Sequence, residues 1–303
     1  MYTLGNQPDQ QQTMYWLRWL NQKLQAESKT EFALEEIQPK WLDKNAQKWF
    51  YRIGLGLMLG LTIGMIYLLI GLVIGGLMFG LMVGLMLGLA LGLMSGLLIG
   101  ATAVISLALL SGLGNEIKPV EAITKWSWEK AKKRIGLALW TGLGTGVSIV
   151  VHSGEFVSGL VVGLIMLLIS ILIIGFSGSE NKSRTIPNQL IWESARNTVI
   201  FTFIGALFGG IGTVLLQLIT QHSVEPISVM MAASIFGIGL GMFWGGMTCI
   251  QHFVLRLVLW QSGAIPWNYA RFLNYCTEQG FLERKGDRYR FTNDLLQSDF
   301  AKM

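Results

Sequence analysis

The sequence predicts an all-α, multi-pass membrane protein of about six transmembrane helices in three hairpins, closed by a small winged-helix-like α+β tail. Three observations carry that prediction. The stretch from Ile53 to Asn115 contains no Lys, Arg, Asp, Glu or His, and it is far longer than the ~20 apolar residues that one bilayer crossing needs. Seven glycines recur at every fourth position inside it, at Gly76, Gly80, Gly84, Gly88, Gly92, Gly96 and Gly100, with Leu, Met, Val or Ile at most positions between them. Two further apolar blocks follow, 135–176 and 197–255, and the segments that separate the blocks are basic.

In water, each interior glycine of a helix costs about 1 kcal/mol relative to alanine. In lipid, the backbone must satisfy its own hydrogen bonds, and small residues four apart let helices approach closely. The seven glycines are therefore expected to be helix-packing faces. A step of four residues overshoots a helical turn by about 40°, so the stripe is expected to wind round its helix and be shared among several neighbours. That winding suits a bundle within one chain and a homo-oligomer equally.

Only 14% of the 303 residues are charged and 52% are hydrophobic, against roughly 25% charged in a soluble domain, which assigns the middle of the chain to lipid. The net charge of +5 lies mostly beside apolar spans, where positive-inside orientation accounts for it. No basic, aromatic-interleaved motif accompanies it, so no nucleic-acid partner is expected. Two cysteines, Cys249 and Cys276, are too few and too distant for a disulfide framework and are expected to be free thiols in a reducing compartment. The first residues lack a basic stretch followed by a short apolar run, so no cleaved leader is expected and the first apolar span directs insertion.

Residues 1–52 are polar. Trp16, Leu17, Trp19, Leu20 and Leu24 stand at helical spacing, predicting a short amphipathic helix; a second helical piece is expected from Phe32 to Ile37. So few residues cannot form a core alone, so the region is expected to pack against something else or to lie on the membrane surface.

A transmembrane bundle is expected over 53–258, in blocks 53–115, 135–176 and 197–255. His152-Ser-Gly-Glu155 splits the second block and Gln221-His-Ser-Val-Glu-Pro226 the third, both without Lys or Arg. The loops 116–134 and 180–196 are rich in Lys and Arg. That contrast puts the loops in the cytoplasm and the breaks outside, with both termini cytoplasmic. Lys40, Lys44, Lys48 and Arg52 before the first block want the same side as the 116–134 cluster, so the block must cross an even number of times. Two tilted helices of about 28 residues satisfy this best.

An internal repeat supports the hairpins. Pro119, then Trp128-Glu-Lys-Ala131 and Lys132, precede the second block; Pro187, then Trp192-Glu-Ser-Ala195 and Arg196, precede the third. Trp128, Lys132, Trp192 and Arg196 are the expected interfacial anchors. Over 264–303 the character changes again: a helix opened by Pro266 runs to Glu278, two short strands flank Lys285-Gly-Asp287, and a closing helix is expected from Asn293 to Ala301. Trp267, Tyr269, Tyr289 and Phe291 are the expected partner contacts on this tail.

The chain resembles, over most of its length, the C-terminal region of NACHT-type NTPases of cyanobacteria, members of the signal-transduction NTPase class. The similar stretches are Ile250-Gln-His-Phe-Val-Leu-Arg-Leu-Val-Leu-Trp260, Ile265-Pro-Trp-Asn-Tyr-Ala-Arg-Phe-Leu273, and Tyr289-Arg-Phe291 with Leu295-Leu296 and Phe300-Ala301. The segment Thr30-Glu-Phe to Glu35-Glu-Ile-Gln-Pro39, Ile117-Lys-Pro-Val-Glu121 and Pro187-Asn-Gln with Ile191-Trp192 are similar too. Where that family commonly has Ile-His after its Tyr-x-Phe motif, this chain has Thr292-Asn293. No Gly-x-x-x-x-Gly-Lys-Ser/Thr occurs in the sequence, so no loop cradles phosphates and ATP hydrolysis does not carry over. The resemblance implies the accessory and membrane part of such a protein without its engine.

Catalytic chemistry is not expected. His152 with Glu155 and His222 with Glu225 have a spacing that could place ligands on one helix face, but the plainer reading is polar residues in exposed turns, with no metal and no cofactor. His252, near Gln251 and Arg256, is expected to cap or hydrogen-bond at the cytoplasmic interface. Gln217, well inside a span, is expected to make a packing hydrogen bond. The function expected is a non-enzymatic membrane anchor or membrane effector of a NACHT-type signalling or defence system, in a bacterial inner membrane or thylakoid, alone or with a separate NTPase. It would tether passively or open a leak by oligomerising; the alternative is a small oligomeric channel or transporter.

Overall fold

A computed structural model describes residues 9–109, 117, 125–177, 187–219 and 223–293. Most of the expected closing helix, the turn at Gln221 and His222, and parts of both basic loops lie outside the described residues. In chain order the elements are α1 (Gln10–Ala26), β1 (Glu31–Ala33), two 3-10 turns at Leu34–Glu36 and Pro39–Trp41, α2 (Asn45–Phe79) and α3 (Leu81–Leu109). Then come β2 (Lys125–Trp126), α4 (Trp128–Lys133), α5 (Ile135–Ser153), α6 (Phe156–Gly175), β3 (Phe176–Ser177) and α7 (Gln189–Ile219). α8 (Pro226–Gly241), a π-turn at Met242–Gly246, α9 (Met247–Gln261), α10 (Tyr269–Glu278), β4 (Leu282–Lys285) and β5 (Arg288–Phe291) complete them.

Four helical stretches are long and apolar enough to cross a membrane: Asn45–Phe79, Leu81–Ser106, Gln189–Leu218 and Pro226–Gln261. The last joins α8 and α9 through the π-turn. The first apolar block is thus two helices. α5 and α6 are shorter apolar helices of 19 and 20 residues.

The chain divides into two compact units, the first being Met1–Lys118, Ser183–Gln189 and Ile250–Met303. Its head is a three-stranded antiparallel sheet in the order β1-β5-β4, with Phe32 opposite Tyr289 and Glu31 opposite Arg290. Residues 32–37, expected as helix, instead form an edge strand and a 3-10 turn. A row of backbone partners on β5 outweighs the weak helical preference of so short a piece. Two residues connect β4 to β5, and Gly286 takes the positive φ of +69° that such a tight turn favours. The amphipathic face of α1 supplies Leu17, Leu20 and Leu24, each at most 1% exposed, to a core shared with Phe32, Ile37, Leu42, Phe272, Leu273, Cys276 and Tyr289. α1 thus packs on the head. α10 begins at Asn268, whose side chain accepts from Arg271 N at 3.1 Å, a standard N-cap.

The same unit contains the α2–α3 hairpin, and here the structure corrects an expectation. The glycine stripe does not distribute itself among several helices; within the unit one neighbour takes it. A methyl group at Gly100 would lie 2.9 Å from Gly56 O, at Gly96 2.8 Å from Gly60 O, and at Gly92 2.6 Å from Gly64 O. At Gly88 it would lie 2.5 Å from Leu68 O, and at Gly84 2.3 Å from Gly76 N. The stripe winds, but the partner helix winds with it, because a small-residue period longer than 3.6 makes two helices coil about each other. Gly80, at φ +89°, is the turn itself.

The second unit, Pro119–Lys182 with Leu190–Cys249, repeats the device twice. Gly142 and Gly146 of α5 meet the backbone at Gly163 and Gly159 of α6, with hypothetical methyl contacts of 2.9 and 2.8 Å, and Thr141 hydrogen-bonds Ser170 at 2.7 Å. The two-residue strands β2 and β3 pair across the hairpin's open end. In the other hairpin, Gly205 and Gly209 of α7 approach the carbonyls of Phe236 and Ala232 to 2.4 and 2.5 Å by the same measure.

Candidate functional site

The head is the candidate site, because four separate passages of the chain end in it. Lys23 on α1 pairs with Asp43 just before α2. Trp16 Nε1 donates to Gly263 O at 2.9 Å, just after α9. Gln38 holds the backbone of Ile117, donating from Nε2 to its carbonyl at 3.0 Å and accepting its N–H at 2.7 Å. Arg256 on α9 donates to Asn188 Oδ1, immediately before α7. A side chain that satisfies both backbone groups of one buried residue is an efficient clamp, since either group left unpaired would carry its desolvation penalty.

Charge reinforces the assembly. Glu27 accepts from Trp41 Nε1 at 2.5 Å and pairs with Lys29 at 3.1 Å and Lys40 at 3.2 Å. Lys29 also pairs with Glu36 at 2.9 Å, and Glu36 with Arg288 of β5 at 2.5 Å. Burial by itself would raise the Glu27 carboxyl, but the hydrogen bonds from Trp41, Lys29 and Lys40 outweigh it and hold the group below its ordinary range. Burial would lower Lys29, and its hydrogen bonds to Glu36 and Glu27 outweigh that and raise it. Burial pushes the Cys276 thiol up to about 12, so it is inert in the native head.

The four expected partner contacts separate sharply. Trp267 is 57% exposed, whereas Tyr269, Tyr289 and Phe291 are 2%, 1% and 7% exposed. Tyr289 lies tilted against Phe32 at 6.1 Å and donates to Asn274 Oδ1 at 2.8 Å; Tyr269 stacks on Phe272 at 6.1 Å. These three hold the head together from inside, and a surface contact from their own side chains is closed to them. Trp267 instead packs edge-on against Trp260 at 5.2 Å and Phe253 at 6.3 Å, forming an exposed aromatic cluster at the end of α9.

The expected interfacial anchors do stand on the surface. Trp128 and Trp192 are exposed, as are Lys132 and Arg196, and Lys132 Nζ sits 5.8 Å over the Trp128 ring. α2 carries the same pairing in Arg52 over Trp49 at 5.3 Å. Gln217 donates to Ser228 Oγ at 2.5 Å, the expected packing bond. His252 departs from expectation: it is 1% exposed, and among the described residues neither ring nitrogen has a hydrogen-bond partner. Glu155 accepts from Ser158 in its turn, and among the described residues no group of three or more His, Cys, Asp or Glu could hold a metal.

Comparison with protein-family models, with curated proteins and with solved structures finds no match. Function is therefore read from the chain's own geometry, together with the resemblance carried by its residues.

One feature of that geometry escaped the sequence. In the second unit, Ser194 and Asn197 of α7 and Thr248 of α9 are buried, beside a place where helix α8–α9 changes to a π-turn. Gly245 lies so close that a methyl there would be 2.1 Å from Ser194 O, and one on Gly241 would be 2.0 Å from Thr202 Oγ1. Thr198 and Thr202 turn their hydroxyls back to Ser194 O and Thr198 O, each at 2.8 Å, which keeps the strip satisfied within its own helix. Each residue type is weakly polar, so hydropathy alone did not reveal the cluster.

Proposed function

We propose that this chain is a non-enzymatic membrane anchor, with three glycine-packed hairpins, six crossings in all, and a cytoplasmic head that serves a NACHT-type signalling or defence NTPase. The observation that carries the reading is the return of the chain to one head at Asp43, Ile117, Asn188 and Gly263. An even number of crossings between successive returns follows if the head occupies one side. Two helices lie in each interval, α2–α3, α5–α6 and α7 with α8–α9. α5 and α6 at ~1.5 Å per residue reach ~29–30 Å, just the thickness of a hydrocarbon core. The basic loops at 116–134 and 180–196 agree with a cytoplasmic head.

Tethering is favoured over a leak because Gly84, Gly88, Gly92, Gly96 and Gly100 of the stripe already meet the partner helix inside the chain, leaving their face unavailable for assembly between copies. The resemblance of Ile265-Pro-Trp-Asn-Tyr-Ala-Arg-Phe-Leu273 and of Tyr289-Arg-Phe291 to NACHT-type NTPases supplies the partner class. A small channel or transporter is the second reading, and its support is the buried polar strip at Ser194, Asn197 and Thr248.

The test is recruitment. A fluorescently tagged NACHT-type NTPase co-expressed with this chain should move to the membrane, and should return to the cytosol when residues 264–303 are deleted from a chain that still inserts. An NTPase that stays cytosolic with the intact chain contradicts the partner assignment.

A further inference from the structure

The α2–α3 hairpin differs from the other two at its tip. The breaks at 152–155 and 221–226 carry polar residues, as a loop entering water requires, whereas Leu77-Met-Phe-Gly-Leu-Met82 has no polar side chain. Its side chains point outward with nothing over them: Leu77 is 82% exposed, Leu81 75% and Met82 83%. The turn is a single residue, with Gly80 N bonded to Gly76 O at 3.2 Å and Gly84 N to Gly80 O at 3.0 Å, so the chain reverses with little backbone offered to solvent.

The hairpin is also too long to stand upright. Arg52, the last charged residue before it, marks the near interface together with Trp49, over whose ring it lies at 5.3 Å. From Arg52 to Gly80 the chain advances 28 residues, which at the helical rise is ~42 Å, against ~30 Å of hydrocarbon. Upright, the apolar tip would project into water by about 12 Å. An exposed apolar stripe, Ile53, Leu57, Leu61, Met65 and Leu69, continues the tip's character along α2 to the near interface without interruption.

We infer that the hairpin lies strongly tilted, with its tip seated among the acyl chains of the far leaflet, and that it offers no loop to the outer aqueous phase. The occupant of the apolar tip is lipid. Nothing charged lies within the hairpin to hold it upright, and the turn needs no water to close. The inference rests on the membrane-spanning reading above and gives one of its hairpins a different end point.

The test uses the full chain with Cys249 and Cys276 replaced by alanine, carrying one new cysteine at a time. In intact cells, Glu155→Cys and Glu225→Cys should react with a membrane-impermeant maleimide, and Lys285→Cys only after permeabilisation. Met82→Cys should resist that reagent in both conditions and react in detergent. A fluorophore at the same position, in phosphatidylcholine–phosphatidylglycerol nanodiscs, should be quenched by lipids bearing a nitroxide on the acyl chain. Labelling of Met82→Cys as readily as Glu155→Cys overturns the inference. So does resistance without lipid quenching, which would mean that protein, such as a second copy of the chain, covers the tip. If Glu155→Cys and Lys285→Cys react from the same side, it is the spanning topology that fails, a result separable from either.

Discussion

Gln38 and Ile117 are joined by two hydrogen bonds, at 3.0 and 2.7 Å, that close the chain on itself across 79 positions and so tie the far end of the first hairpin to the head. Gln38→Ala removes both and takes this partner from the Ile117 N–H and C=O, with an expected loss of about 1–2 kcal/mol in head stability. Gln38→Glu keeps the acceptor and loses the donor, so it should cost less than the alanine. Thermal denaturation of the three proteins in nanodiscs, followed by near-ultraviolet circular dichroism, gives the order.

Within the seam, glycines of one stripe should respond differently. Gly96→Ala places a methyl 2.8 Å from the Gly60 carbonyl, whereas at Gly76 nothing lies within 4 Å of that position. Gly96→Ala should destabilise by about 1–3 kcal/mol, and Gly76→Ala should be neutral or slightly stabilising. Equal effects at the two sites would mean that the helices do not pack in this register.

Phe32 is the residue that joins the two ends of the chain. It is 1% exposed and lies 6.1 to 6.5 Å from Tyr289, Trp41 and Tyr269. Phe32→Ala should cost about 3–5 kcal/mol and expose the Cys276 thiol, 0% exposed in the native head. The readout is the maleimide labelling rate at neutral pH, slow in the wild type and fast in the variant, while Trp267→Ala, at an exposed site, should leave it slow.

The Glu27–Lys29 pair gives the head limits at both ends of the pH scale. Glu27 is lowered in the fold, so its stabilisation is complete above the ordinary carboxylate value of about 4.3 and fades as pH falls through its lower native value. Lys29 is raised, so its contribution is complete below about 10.4 and fades as pH climbs through its higher native value. Melting temperature should therefore form a plateau that falls below about pH 4 and above about pH 10.5. In Glu27→Gln the acid edge should flatten.

What the sequence made legible was local. Apolar runs, their polar breaks, the exposed Trp and Lys or Arg residues beside them and the tail's helix and hairpin are each written within a few neighbouring residues. The pairing of Glu31–Ala33 with Arg288–Phe291 was not legible, because a three-residue strand takes its identity from a partner at the other end of the chain. Tyr269, Tyr289 and Phe291 looked like contact residues because aromatic side chains in short polar elements serve surfaces and small cores alike. Only the opposing face of α1 and β1 decides between them. The single-neighbour glycine seam was hidden for a related reason: a winding stripe excludes a straight partner but not one that coils with it.

The central claim, an anchor whose packing faces are spent within the chain, is tested most directly by membrane potential. Cells expressing the chain, with insertion verified, are followed with a voltage-sensitive dye beside cells expressing Gly84→Leu with Gly88→Leu. The account predicts a steady potential with the native chain. Depolarisation by the native chain that disappears in the double variant would contradict it and establish a glycine-built pore.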